Sequence, residues 1–433
     1  MKRRTFTTML AATAGAAVAA PALTGCGGGS EGDGKSLVIW HYENDESAMG
    51  QAWKKAQELF EAKHPDVKVT VEKQTFEQIQ KNAKIVLTGD EVPDVMEYNK
   101  GNSTAGQLAS QGLLEPLTET AKAKGWDKKL STSLQTTARY TEDGLMGDGD
   151  WYGLPNYGEY VYFFYNKKMF ADAGVAVPTT LEELETVLQT FKDKGITPLA
   201  EAGSEYPAGQ LWYQLALAHA DRGFVDDYQL FKGDVDWAAD PIASAATQFS
   251  DWVTKGYIAP DAAGLTAEDM GTAFIAGKFP LMFSGSWWFG RLVAEMTDDW
   301  GQFLFPASEL TIGSSGNLWV VPANAKNKEL AFDFMEITMS QEVQDLLGQK
   351  GGLPVAGDTS TITDEKTKEM TDNFMAVLDK DGLAFYPDWP VAGFYDQIVS
   401  AMQSLINGSK APADAMKELG DAYATGKKDL TGE

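Results

Sequence analysis

Apolar and polar positions recur along this chain with two periods, and these divide its first hundred residues into alternating strands and helices. Ser36–His41 (SLVIWH) is a short apolar run of strand length. After it, Trp53, Ala56, Leu59 and Phe60 share one face at helical spacing. Between Asp66 and Glu72, Val67, Val69 and Val71 alternate with other residues, the two-residue period of a strand. Phe76–Leu87 returns to the helical period, and Pro93–Tyr98 (PDVMEY) reads as a third strand. A β-α-β-α-β order with short connections predicts a parallel sheet with right-handed crossovers. Ligands of such sheets bind at the carboxyl ends of the strands. Here those ends are Trp40-His41-Tyr42, Gln74 and Tyr98-Asn99-Lys100.

Further along, the turn-rich Gly144–Pro155 leads into Glu159–Tyr165 (EYVYFFY), a strongly β stretch. Pro178-Thr179-Thr180 starts a helix, with Thr180 and Glu183 as a capping box and Leu181, Leu184, Leu188 and Phe191 as its apolar face. Lys328–Leu347 reads as one long amphipathic helix carrying Phe332, Met335, Met339, Val343 and Leu346. Phe394–Ile406 is another, with Phe394, Ile398, Met402 and Leu405. These stripes are core faces. GKFPLMFSGSWWFGR (277–291) reads as a buried strand, a tight turn and two adjacent tryptophans. Neighbours point to opposite faces of a strand and sit ~100° apart on a helix. Trp287 and Trp288 therefore do not share one core face, and one of them is a candidate to meet a ligand.

At 433 residues and 43% hydrophobic, the chain is long enough for two lobes with separate cores. Its net charge of −26 repels nucleic acid and anionic lipid, so neither is an expected partner. Residues 1–25 read as a signal peptide: Lys2, Arg3 and Arg4 precede a small-residue apolar stretch from Met9 to Leu23. Leu23-Thr24-Gly25-Cys26 looks like a bacterial lipoprotein cleavage box, and Cys26 is the sole cysteine of the chain. Lipid attachment at Cys26 is thus expected, with residues 26–35 as a flexible tether. Arg3-Arg4-Thr5-Phe6 also resembles a twin-arginine signal, which leaves the export route open. Cleavage would leave 33 basic against 62 acidic residues and no disulfide.

Enzyme signatures are mostly missing. HExxH, CxxC and GxSxG do not occur, and His41, His64 and His219 lie far apart, so neither a metal site nor a cofactor is expected. Gly271–Lys278 imitates a phosphate loop, but it has five intervening residues where four are needed, and Phe279 replaces the Ser/Thr. Aromatics speak more clearly: 12 Trp, 15 Tyr and 21 Phe. Trp40, Trp212, Trp287 and Trp389 each sit beside a turn or strand end with polar neighbours, whereas Trp53 and Trp252 fall within helical patterns. A pyranose shows C–H groups on its faces and hydroxyls at its rim. Indole faces stack on the first, and carboxylates and amides accept from the second. Tryptophans with Asp, Glu and Asn therefore suit a sugar. A secreted glycoside hydrolase would draw on the same residue types, with an acid pair ~5–9.5 Å apart. A binding protein for another polar solute is the remaining alternative.

Four stretches in order carry a resemblance: Pro93-Asp94-Val95; YGEYVYFFYNKKMF (157–170) followed by Ala173-Gly174-Val175 and Pro178-Thr179-Thr180-Leu181; AFIAGKFPLMFSGSW (273–287); and KELAFDFMEITMSQEVQDLLGQKGGLP (328–354). Over about residues 36–430 the chain resembles the extracellular solute-binding proteins of bacterial ABC transporters, in the sugar-binding family that includes maltose-binding protein. That resemblance implies an α/β, two-lobed periplasmic-binding-protein-like fold, each lobe a mostly parallel sheet flanked by helices, joined by a hinge. Its lobes would be 36–158 with 304–352, and 159–303 with 353–433. It implies a monomer that binds a carbohydrate, an oligosaccharide in our reading, and docks on membrane permease subunits at the extracellular face of the membrane without catalysis. It also implies ligand contacts at Glu159, Trp212, Trp287, Asp388 and Trp389. Tyr42, Asn44 and Asp45 after the first strand, and Tyr98, Asn99 and Lys100 after the third, are candidates from the other lobe. Plainer roles stay open: strand start for Glu159, core for Trp212, surface pairing for Lys100, helix capping for Asn44 and Asp45. Phe279-Pro280 and Trp288 depart from the family pattern and leave the sugar open.

Overall fold

The computed structural model describes residues 34–89, 91–130 and 132–432. The signal-peptide, Cys26 and most of the tether assignments lie outside the described residues. No described helix is long and apolar enough to cross a membrane.

Strands β1 (Ser36–His41), β2 (Lys68–Lys73) and β3 (Val95–Tyr98) form the parallel ladder that the early periodicity predicts, in the order β2-β1-β3. The helix Ala48–Lys63 links β1 to β2, capped by Ser47, whose hydroxyl accepts the Gly50 N–H. The helix Phe76–Leu87 links β2 to β3 behind a reciprocal capping box of Thr75 and Gln78. Before its next sheet the chain makes a short β4 (Leu154–Pro155).

The second sheet is built around β5 (Glu159–Asn166), with β6 (Leu199–Ala200), β7 (Leu281–Gly285), β8 (Trp300–Phe303) and β9 (Gly313–Ser314). Strand β10 (Leu318–Val320) then returns to the first sheet and lies antiparallel between β3 and β4. The implied mostly parallel character does not hold for the second sheet, where β5 runs antiparallel to β7, β8 and β9 and only β6 with β7 is parallel. The cause is an inserted strand. Strands β7 and β8 share one direction and are connected through the helix Phe289–Glu295, as in a crossover unit, but β5 occupies the space between them.

β5 is covered on both faces, which explains its unbroken apolar run. Tyr160, Tyr162 and Phe164 pack into one cluster, while Val161 and Phe163 face another. Phe163 stacks on Phe303 and Phe305 at 5.0 and 5.7 Å.

Two helix expectations need correction. Thr180 caps its helix by accepting the Glu183 N–H, but the Glu183 carboxylate returns one residue earlier, to the Thr179 N–H and hydroxyl at 2.7 and 2.8 Å. The long helix over 328–347 is two, Lys328–Thr338 and Gln341–Gln349, broken at Met339-Ser340. Buried Gln344 makes the break affordable. Its amide donates to the freed Thr338 carbonyl and to Asn156 O, and its oxygen accepts the Val355 and Ala356 N–H groups.

Candidate functional site

A cavity of about 450 Å³ opens where the carboxyl ends of β1 and β3 meet the start of β5, the β7 turn and the loop 386–389. Pockets of ~300–1,000 Å³ suit a small organic ligand. β1 delivers Tyr42, Glu43 and Asn44 to its wall, and β3 delivers Asn99. Buried His41 sets the first group: its Nδ1 accepts the Glu43 N–H at 3.2 Å. Burial, helped by Lys73, lowers the His41 pKa to about 4, so the ring is neutral and keeps that lone pair.

Lys100 stands behind the wall. It is completely buried, with Nζ 2.7 Å from Glu159 Oε1 and 3.1 Å from Asn317 Oδ1. The Glu159 oxygen also accepts from Ser314 Oγ, and Asn317 Nδ2 donates to Tyr157 OH. The ammonium lies 5.1 Å from the Trp389 ring and 5.8 Å from that of Tyr386. Burial lowers the Lys100 pKa and the Glu159 carboxylate opposes that shift. The pair thus clamps β3 to β5 and fixes one Glu159 oxygen, leaving the carboxylate's other lone pairs for a ligand.

Other carboxyls are held towards protonation. Burial, reinforced by Glu159, raises Glu43 to about 7, against a hydrogen bond from Ser47 Oγ at 3.3 Å. Glu97, on β3 and wholly buried, is pushed well above the usual carboxylate range by burial and by Glu43. Burial raises Asp388 to about 6.

Aromatic rings frame the space. β7 runs into a single 3₁₀ turn, Ser286–Trp288, rather than a plain strand turn. Trp287 folds back over Gly285, where an added Cβ would sit 2.0 Å from the indole. Its Nε1 donates to Tyr206 OH at 3.1 Å, and its ring lies 6.4 Å from Tyr386. Trp288 does two jobs: it is 5% exposed and packed on Gly271, yet it also lines the cavity, with the Arg291 guanidinium 4.9 Å from its ring. Tyr42 meets Phe76 edge to face at 5.3 Å. Trp389 packs against Tyr386 and Phe385.

Of the residues singled out in the sequence, Tyr42, Asn44, Asn99, Glu159, Trp287, Asp388 and Trp389 line this one cavity. Four do not. Lys100 acts through Glu159. Tyr98 alternates with Asn99 along β3 and is buried in the core. Asp45 is exposed and pairs with Lys73. Trp212 is a core residue, fully buried and stacked on Trp237 at 6.3 Å. The reason is helix phase. In the helix Tyr206–Leu217, Tyr206 and Gln210 are one turn apart and face the cavity, whereas Trp212 lies ~200° beyond Gln210, on the far side. Sequence reasoning missed Glu43, Tyr157, Tyr206, Gln210, Asn317, Tyr386 and Tyr395. Glu43 and Tyr386 adjoin residues that were found, and Pro207 marks the helix start that presents Tyr206. Nothing local marks Asn317.

The chain is similar in sequence and fold to several known proteins. The profile of the family described as "Bacterial extracellular solute-binding protein" matches residues 44–345. The diacetylchitobiose binding protein DasA of Streptomyces coelicolor is 26% identical over 97% of both chains. The maltotriose-binding protein of Pyrococcus abyssi is 25% identical over 76% of this chain and 68% of its own. Among solved structures, a chitin oligosaccharide binding protein superposes with a TM-score of 0.79 at 23% identity, covering 92% of this chain and all of the other. The GacH receptor of Streptomyces glaucescens, solved free and with acarbose, superposes with a TM-score of 0.75 at 25% identity over 92% and 99%.

Proposed function

The chain belongs to the bacterial extracellular solute-binding proteins, and from that premise we propose that it is a carbohydrate receptor that captures an oligosaccharide and hands it to the permease of an ABC importer. The observation that carries the reading is the cavity wall. Indole and phenol faces of Trp287, Trp288, Trp389 and Tyr386 stand beside Asn44, Asn99, Glu159 and Asp388. Such a wall stacks on the apolar faces of pyranose rings and accepts from their hydroxyls. The sugars for which two relatives are named, diacetylchitobiose and maltotriose, point the same way.

In this reading the lobes are 36–158 with 304–352 and 159–303 with 353–433, except that β9 (Gly313–Ser314) pairs with β5 and so goes with the second sheet. The ligand binds the closed arrangement better than the open one, and that difference drives closure. The protein performs no chemistry, acts as a monomer, and is held at the outer face of the membrane through lipid on Cys26. A thermal-shift screen against a glycan panel tests the proposal. A sugar at 100 times its Kd adds ~2.7 kcal/mol of stability. A panel in which no sugar raises the melting temperature overturns the carbohydrate reading, and release of cleavage products overturns the receptor reading.

A further inference from the structure

A small recess of about 10 Å³ opens beside the main cavity. Its polar lining is Tyr206, Gln210, Asp388 and Tyr395, all four of which also line the main cavity. Gly209, Pro387, Ile398 and Val399 complete it. That volume is close to the ~10–15 Å³ needed for one water-sized group.

Its polar atoms are unequal. Gln210 is 4% exposed and its Oε1 has no hydrogen-bond partner; the Tyr395 hydroxyl is also buried without one. Tyr206 OH already accepts the Trp287 Nε1–H. The Asp388 carboxylate accepts no hydrogen bond from another side chain among the described residues. Meanwhile the nearby cations are committed. Lys100 is engaged by Glu159 and Asn317, and Arg291 by Glu268 and Glu295. The recess therefore offers acceptors, one of them a carboxylate, and no cation of its own.

We propose that this recess is an amine subsite: it seats the primary ammonium of an amino sugar against Asp388, Gln210 Oε1 and the Tyr395 hydroxyl, while the rest of the ligand stacks in the main cavity. An ammonium has three donors and no acceptor, which matches three acceptors. A hydroxyl in the same place leaves acceptors unfilled. An N-acetyl group is too large for the space and carries no charge. A carboxylate on the sugar meets Asp388 with like charge, so uronates are refused. The inference rests on the sugar-receptor reading and narrows it to oligosaccharides with a free amine.

Calorimetry on the whole chain with matched disaccharides tests it: β-1,4- and α-1,4-linked pairs, each in its 2-hydroxyl, 2-amino and 2-acetamido forms. The amino form of at least one pair should bind ten-fold or more tighter than its partners. Asp388→Asn should erase that preference: it should weaken the amino form at least ten-fold more than it weakens the hydroxyl form of the same pair. Tyr395→Phe, which removes one oxygen without changing shape, should reduce the preference in part, and it serves as the test if Asp388→Asn does not fold. Equal or tighter binding of the neutral forms in both pairs overturns the subsite and makes the recess a water site, leaving the receptor reading intact. Preference retained in Asp388→Asn overturns it too. If no sugar of any form binds, the receptor reading falls as well.

Discussion

Replacing Lys100 by Met removes the cation that ties β3 to β5 and leaves its partners in place. Lys100 is wholly buried, and the Glu159 side chain is 9% exposed. Methionine fills most of the aliphatic volume but donates no hydrogen bond. Glu159 is left with Ser314 Oγ on the same oxygen, and Asn317 Oδ1 loses its donor. Breaking a buried pair from one side costs ~3–5 kcal/mol, because a charge remains without its counter-ion. We take ~4 kcal/mol. At ~2.1 cal/mol/K per residue, a chain of this length has an unfolding entropy of ~0.9 kcal/mol/K, so melting should fall by ~4 °C. The double variant Lys100→Met, Glu159→Gln replaces the stranded carboxylate with a neutral amide and should recover ~2 kcal/mol or more. Urea unfolding followed by tryptophan fluorescence reads both variants. Lys100→Met within ~1 kcal/mol of the parent, or a double variant whose loss is the sum of those of Lys100→Met and of Glu159→Gln measured alone, would refute the ion-pair argument.

Three further outcomes follow from particular contacts. Trp287→Ala should weaken sugar binding ten-fold or more (~1.4 kcal/mol), whereas Trp212→Ala should cost ~3–5 kcal/mol of stability and leave affinity nearly unchanged; calorimetry and denaturation on the same two samples separate them, and the reverse pattern rejects the assignment. Gly271→Ala places a Cβ 2.0–2.5 Å from three atoms of the Trp288 ring, so it should displace that cavity wall, lower the urea midpoint by ~1–3 kcal/mol equivalents and weaken ligand; an unchanged midpoint counts against the packing. Glu201 is buried, accepts only the Ala202 N–H among the described residues and is pushed up to about 8 by burial. The folded chain holds this proton where the unfolded chain has released it, so the stability it contributes is full below about pH 4.5 and is lost as pH rises through 8. Glu201→Gln should therefore melt higher than the parent at pH 8.5, by an amount that shrinks towards pH 4.5; a gap that does not change with pH discounts the linkage.

Much of the architecture near the site could be read locally. The two-residue alternation at Val67, Val69 and Val71 and the helical stripes at Trp53–Phe60 and Phe394–Ile406 reflect which face of a single element is buried. Such faces leave a periodic trace in the sequence. The same holds for Tyr42, Asn44 and Asn99, which follow strands whose carboxyl ends form the cavity. Local reading failed where a long-range contact overrode the pattern. The apolar stripe over 328–347 runs on through Met339, but Gln344 captures the Thr338 carbonyl and the segment after Leu353, so two shorter helices replace one. Trp212 looked like a cleft residue because it neighbours a polar turn. Counting helix phase from Tyr206 would have turned it inward, had the cavity-facing side of that helix been known.

Local sequence thus carries the set of elements, the acidic aromatic-rich character of the chain, and the short stretches behind the family likeness. Each of these is written in spacings of two to four residues or in composition. Assembly comes from packing between distant segments: the mixed second sheet, the placement of Trp288 in both wall and core, and the triad of Lys100, Glu159 and Asn317. The members of that triad lie 59 and 217 positions from Lys100 along the chain. The physical reason is that a hydrogen bond needs ~3 Å of approach and a cavity needs several elements at once. Neither leaves a local period, and both exist only when distant segments pack.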